Sequence, residues 1–355
     1  MGRLSGRRIV VAGAGAVGQA LALRLLDEDA EVLIADPAPL GRNASGVAEG
    51  MLAPAFEAAL DPLLAGHFDL LRAARDLWPA LAARAGGGLD RSGALWIGDE
   101  DSSAAMLARL AGLGAAAERL GAAEAESLSP GLKAPAGAVF TSEDWTLEPP
   151  GMLARLQQLF ESAGGGVRNA AVRSWSPGAV GLSDGATIGA DALVLAAGLA
   201  AEGMVDAPSE LGALRPIKGQ LARLEAAQLG SGPVVRGEGI YIVPRSGGPI
   251  AGATMEPGVR DLEVDPAAIA RLGAAAARLV PSLARAPATG AAGVRASTPD
   301  GLPLAGPSRT PGVWLAMGAR RNGWLLAPLI AEVLAEQLAG GDGGPSAKAF
   351  DPARF

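Results

Sequence analysis

Near the N-terminus the apolar positions follow two different rhythms. Ile9-Val10-Val11-Ala12 and Val32-Leu33-Ile34 are short unbroken apolar runs, the pattern of strands buried on both faces. Between them Val17, Leu21 and Leu25 recur at helical spacing. The order is therefore strand, helix, strand. The helical rhythm returns over residues 63–83, through Phe68, Leu71, Arg75 and Trp78, until Gly86-Gly87-Gly88 breaks it. Residues 94–97 read as a strand, 104–113 and 122–128 as short helices, and 151–162 as a longer one. Short strands follow over 167–172 and 180–182, then an apolar strand over 191–196 that ends in Ala197-Gly198. The stretch 216–254 is strand-rich, 265–279 is helical, and a short strand runs into Gly293-Val294-Arg295. The last strong strand, 313–317, leads through a loop into a helix from about Trp324 to Leu338.

The first strand joins its helix through Gly13-Ala14-Gly15-Ala16-Val17-Gly18, and the second strand delivers Asp36 eighteen residues beyond Gly18. In that setting the first glycine turns tightly, the second admits a pyrophosphate to the backbone, and the third lets helix and strand approach. Free N–H groups at the helix start then face phosphate, and Asp36 can accept from a ribose diol. Ala197 and Gly198 end a strand in the small form expected beside a dinucleotide, or simply in an ordinary buried strand. Asn43-Ala44-Ser45-Gly46 and Gly50-Met51 are small or slender enough for close approach to a ligand, or for plain loop geometry.

Composition narrows the chemistry. The 355 residues are 49% hydrophobic and 19% charged, so folding is expected, and the net charge of -7 with no basic block disfavours nucleic acid and anionic membrane partners. There is no cysteine, which removes disulfides, a thiol nucleophile, iron–sulfur ligation and cysteinyl attachment of a cofactor. The lone histidine, His67, cannot supply a histidine-rich metal site, and no metal is expected. No apolar stretch is long enough for a transmembrane segment, and the first strand starts with little room for a signal, so a cytoplasmic protein is the simplest expectation.

Motifs spread along the chain resemble the FAD-dependent D-amino-acid oxidase superfamily, and most closely its glycine oxidases. Beyond the glycine loop they are Ala44-Ser45 followed by Gly50-Met51-Leu52-Ala53-Pro54, and Tyr241-Ile242-Val243-Pro244-Arg245. Gly252-Ala253-Thr254, Ala292-Gly293-Val294-Arg295, Thr298-Pro299-Asp300-Gly301 and Arg321-Asn322-Gly323 with Leu325 complete them. The resemblance implies an α/β Rossmann-like FAD-binding domain, discontinuous over 1–85, 135–215 and 290–345. It implies an α+β substrate domain with a mostly antiparallel sheet over 86–134 and 216–289. It further implies noncovalent FAD, bound by the residues named in the loop and by Asp36, Ala44, Ser45, Gly50, Met51, Val172, Ala197, Gly198, Arg295, Asn322, Gly323, Trp324 and Leu325.

The same resemblance assigns Arg295 as the clamp for a substrate carboxylate, since its planar guanidinium makes two parallel hydrogen bonds, with a structural ion pair as its other reading. Tyr241, the chain's single tyrosine, would donate to that carboxylate or serve as a strand aromatic with a satisfied hydroxyl. Arg321 and Met51 fall beside the pocket, or in a salt bridge and the core respectively. No residue is expected as an obligatory acid or base. The implied reaction is oxidative deamination of a small amino acid, glycine foremost, to a 2-oxo acid and ammonia, with oxygen reduced to hydrogen peroxide. A dehydrogenase passing electrons to a quinone or carrier protein, and a flavin-binding homologue without turnover, are the alternatives. Thiamine biosynthesis and a homo-oligomer are family-level implications. Two departures stand out: Ala319 and Arg320 replace the usual histidine and aromatic residue, and Ala296 stands where proline is frequent. Arg320 either faces solvent, selects a more acidic amine or contacts an unusual substrate.

Overall fold

The strand–loop–helix–strand unit forms where the apolar pattern places it and lies at the centre of a six-stranded sheet. Arg8–Ala12 pairs in parallel with Glu31–Ala35 on one side and with Ala192–Leu195 on the other. Gly166–Arg168 extends the sheet beyond Glu31–Ala35, Val313–Met317 extends it beyond Ala192–Leu195, and antiparallel Leu304–Pro307 closes the edge. The computed structural model describes residues 2–199, 203–225 and 231–355; positions 226–230 of the expected strand-rich stretch lie outside the described residues. Ile9, Val10 and Val11 are fully enclosed, as the unbroken apolar run requires. The helices Ala16–Leu26 and Gly323–Leu338 pack on each other over one face of the sheet, burying Leu21, Leu25, Leu326, Ile330 and Leu334 in one core.

A second, nine-stranded sheet is mixed and mostly antiparallel. Its long strands Arg215–Leu224 and Ala288–Ser297 pair antiparallel along their whole length. Ile250–Gly252 and Ile240–Val243 follow on the other side, then Val234–Gly237, which pairs in parallel with Ala94–Trp96. Helix Pro266–Leu279 covers one face through Ile269, Leu272 and Ala276. The molecule is thus a discontinuous α/β Rossmann-like fold with an added mixed sheet. The boundaries expected at 135 and 290 run close to strands of this sheet, since Ala138–Thr141 and Ala288–Ser297 both belong to it.

Several elements differ from expectation for identifiable reasons. The helix expected over 63–83 is two helices, Phe68–Asp76 and Trp78–Arg84, because Pro79 at the start of the second cannot donate a backbone hydrogen bond. The strand expected over 167–172 is Gly166–Arg168 plus Val172–Ser176, and the latter turns into a separate three-stranded antiparallel sheet. Helix Glu100–Gly112 starts before residue 104 because Asp99 caps it, accepting from the Ser102 N–H at 2.8 Å. Helix Pro54–Leu60 is unanticipated, and it proves central below. Among the described residues no helix is long and apolar enough to cross a membrane, and no group of acidic residues and histidine could hold a metal.

Candidate functional site

The glycine loop is shaped by contacts that admit no side chain. A Cβ on Gly13 would lie 2.6 Å from the Ala196 carbonyl oxygen, and one on Gly18 would lie 2.0 Å from the Gly13 carbonyl oxygen. The loop therefore packs directly against the end of strand Ala192–Leu195, which brings Ala197 and Gly198 beside it. Helix Ala16–Leu26 opens at Gly15 with no side-chain cap, leaving first-turn N–H groups for a ligand, except that Ala16 donates to Ser45 Oγ at 3.0 Å. Asp36 accepts from the N–H groups of Ala14 at 2.7 Å and Ala38 at 2.9 Å, which holds its carboxylate against the loop. Each of its oxygens keeps a further lone pair for a diol. Val172 packs against the core that includes Ala12 and Ala35, below this end of the sheet. This cradle of backbone donors and missing side chains fits a noncovalent dinucleotide.

From that loop Ser45 leads toward a cavity of about 450 Å³. Ala44, Ser45 and Met51 line it from the N-terminal segment, and Asn322, Gly323 and Trp324 from the start of helix Gly323–Leu338. Trp324 donates to the Ser45 carbonyl at 3.0 Å and accepts at its own carbonyl from Trp78, so loop and helix are locked together. Leu325 turns its side chain wholly into the core, leaving only its backbone for a ligand, and Gly50 sits outside the cavity lining. The larger sheet supplies Gly219, Tyr241, Gly252 and Arg295.

Two glycines make the room for the polar groups on that sheet. Tyr241 lies opposite Gly252, where a Cβ would come within 2.4 Å of the phenol oxygen. The Arg295 guanidinium lies over Gly219, where a Cβ would meet Nη1 at 2.0 Å. Among the described residues no carboxylate pairs with Arg295; Nη1 reaches only Met255 Sδ at 3.7 Å. Burial pushes the Tyr241 pKa well above its ordinary value, and Glu49, by its charge and by a hydrogen bond from the hydroxyl, pushes it further, against the pull of Arg295 and Arg236. The hydroxyl stays a hydrogen-bond donor at neutral pH.

A chain of alternating charges forms another part of the wall. Arg236 Nη1 meets Glu57 Oε1 at 3.4 Å, Glu57 also binds Arg321 Nε, and Asp61 binds both Arg320 Nη1 and, at 3.5 Å, Arg321 Nη2. Three arginines face two carboxylates, so the chain carries one surplus positive charge. The Arg321 pKa is raised, mainly by Glu57. Arg236 also sets Nη2 at 3.3 Å from Met51 Sδ and lies over the Phe56 ring. Arg320 does not face solvent: its side chain is 13% exposed and engaged with Asp61. Its backbone adopts φ 51°, uncommon outside glycine, and its N–H donates to the Ala296 carbonyl.

Helix Pro54–Leu60 holds this network, and buried Asp144 holds the helix. Asp144 accepts from the N–H groups of Ala55 at 2.8 Å and Phe56 at 3.3 Å. Burial pushes its pKa up to about 6, opposed by Arg236 and the two backbone donors.

The structure brings Tyr241, Arg295, Arg321 and Met51 into one cavity, while His67 starts helix Phe68–Asp76 outside its lining. Glu49, Glu57, Asp61 and Arg236 are cavity or network residues that the sequence reading passed over. A signal existed for two of them. Pro54 followed by Glu57 is a helix start, with proline in the first turn and an acid near the positive end. Glu238-Gly239 between two apolar runs is a hairpin turn that sets Arg236 opposite Tyr241.

A family model described as FAD dependent oxidoreductase matches residues 8–337. A glycine oxidase of Geobacillus kaustophilus is 31% identical over 350 residues, covering 92% of each chain. A glycine oxidase of Pseudomonas aeruginosa is 30% identical, covering 94% of this chain and 95% of its own. The crystal structure of the Geobacillus kaustophilus glycine oxidase superposes with a TM-score of 0.85 at 29% identity, covering 98% of this chain and 99% of that one.

Proposed function

Because the chain belongs to the FAD-dependent oxidoreductase family, we propose that it oxidises a small amino acid at its carbon–nitrogen bond, with glycine the leading substrate. The observation that carries this reading is Arg295, a guanidinium without an acidic partner among the described residues, set beside a protonated Tyr241 in one cavity. FAD, held noncovalently by the glycine-loop cradle, takes up two electrons when bound and supplies the redox chemistry. The protein's work is placement. Arg295 grips the substrate carboxylate through parallel hydrogen bonds, and the Tyr241 hydroxyl, turning from Glu49 to the substrate, donates a third. That grip fixes the substrate's α-carbon, and a fixed geometry replaces much of the barrier otherwise met in solution. The N-terminus of helix Gly323–Leu338 directs its positive end at the cavity, favouring negative charge that develops there. No side chain is needed as an obligatory base, because the amine reacts as the free base. The product imine leaves and hydrolyses to a 2-oxo acid, glyoxylate in the case of glycine, and ammonia.

Molecular oxygen is the proposed electron acceptor, giving hydrogen peroxide, and the relatives named glycine oxidase support that choice. A role in thiamine biosynthesis and a cytoplasmic location belong to the same proposal. The acceptor is tested by reducing the bound flavin without oxygen and then mixing with either oxygen or a quinone analogue. Reoxidation by oxygen at a rate matching turnover is expected. Slow reaction with oxygen and rapid transfer to the quinone would overturn the oxidase assignment.

A further inference from the structure

Glu49 is 6% exposed, lines the cavity, and leaves Oε1 buried without a hydrogen-bond partner among the described residues. A desolvated carboxylate oxygen with nothing to accept from is destabilising, so its retention calls for a donor supplied from outside the protein. Its place is held firmly. Arg245 Nη2 binds the Glu49 carbonyl and also the Leu147 carbonyl at 2.8 Å, and Gly50 next in sequence is packed against that same Leu147 carbonyl.

Its neighbours indicate what the donor is. Glu49 and Arg295 both act on the Tyr241 hydroxyl, one raising its proton affinity and the other lowering it. A negative and a positive group thus act on one phenol inside one cavity. An α-amino acid carries its ammonium and its carboxylate on one carbon, with the same opposition of sign. We propose that Glu49 is the acceptor for the substrate's amino group, so that Glu49, Tyr241 and Arg295 together recognise a zwitterion. This rests on the amino-acid reading above and adds a residue to it. The choice of Glu49 over the network acids follows from pairing: Glu57 and Asp61 are each engaged by arginine, whereas Glu49 keeps a free oxygen. The role is binding and orientation. A carboxylate beside the ammonium also holds its proton more tightly, so Glu49 favours capture of the zwitterion and opposes its deprotonation.

The test uses the FAD-loaded protein with three ligands: glycine, glycolate, which replaces the ammonium by a neutral hydroxyl, and acetate, which lacks it. Binding is read from the flavin absorbance and from the glycine concentration giving half-maximal flavin reduction without oxygen. In the wild type, glycine should outcompete glycolate by about tenfold or more, the usual worth of a charge-assisted hydrogen bond. Glu49→Gln should raise the half-saturating glycine concentration by about tenfold while acetate binds as well or better. The acid limb of the limiting reduction rate should move to lower pH, and Glu49→Asp should recover part of the glycine affinity. Equal weakening of glycine and acetate in Glu49→Gln would assign Glu49 a purely structural role and overturn the proposal. Glycolate binding as tightly as glycine to the wild type would overturn it without any variant. Preferential glycine binding with no flavin reduction would instead support Glu49 and reject the oxidation reading.

Discussion

The candidate site depends as much on residues without side chains as on those with them. Arg295 and Tyr241 are where they are because Gly219 and Gly252 leave the sheet surface bare beneath them. Gly252→Ala would set a methyl group within 2.4 Å of the phenol oxygen, and Gly219→Ala would set one within 2.0 Å of the guanidinium. Either variant should fold and bind FAD, yet need about tenfold more amino acid for half-maximal flavin reduction; unchanged half-saturation would show that the two side chains do not hold substrate. Arg295→Ala should go further, by about a hundredfold, because it removes both parallel hydrogen bonds and their charge. Tyr241, Gly252 and Arg295 were legible in the sequence because the motifs around them are contiguous; Gly219 was not, since no motif there singles it out. The partners of Arg321 were not, since Glu57 on a helix and Asp61 at its end are distant in sequence and only packing brings them together. Arg320 shows the same limit: its neighbours in sequence gave no sign of Asp61.

At the scale of elements, the short helix Pro54–Leu60 does most to organise the charged wall, and Asp144 is its N-terminal anchor. Because burial raises the Asp144 pKa to about 6, the folded chain holds a proton there that the unfolded chain releases near pH 4. The stability associated with that proton is fully present below the unfolded pKa and is lost as pH rises through about 6. Two pKa units correspond to about 3 kcal/mol. Urea unfolding of wild type and Asp144→Asn should therefore give a stability difference that shifts by about that amount against the wild type between pH 4 and pH 7. A difference independent of pH would mean that Asp144 is ionised throughout. The apolar rhythms revealed the long helices and central strands, whose burial patterns are regular. They gave no sign of Pro54–Leu60, because its seven residues make too few turns to show a period.

Across the whole molecule, the six-stranded sheet draws its strands from stretches separated by segments that build the second sheet. The proposed cofactor site lies where those separated stretches meet, so FAD binding there should stabilise the molecule as a unit. FAD at about a hundred times its dissociation constant contributes about 2.7 kcal/mol, which corresponds to a rise of roughly 4 °C in Tm. Gly18→Ala, with its Cβ 2.0 Å from the Gly13 carbonyl oxygen, should abolish most of that rise. An undiminished rise in the variant would place FAD elsewhere. Discontinuity of this kind was legible through family motifs scattered along the chain, whereas local periodicity could not say which strands share a sheet.

The most direct measurement is anaerobic mixing of the FAD-loaded protein with glycine, sarcosine, several D-amino acids, proline derivatives and acidic amines, followed by flavin absorbance. Loss of the oxidised flavin spectrum that saturates with glycine, and that needs far more glycine in Arg295→Ala, is the expected result. A flavin that stays oxidised with every member of the panel would contradict amino-acid oxidation and leave a flavin-binding protein without that activity.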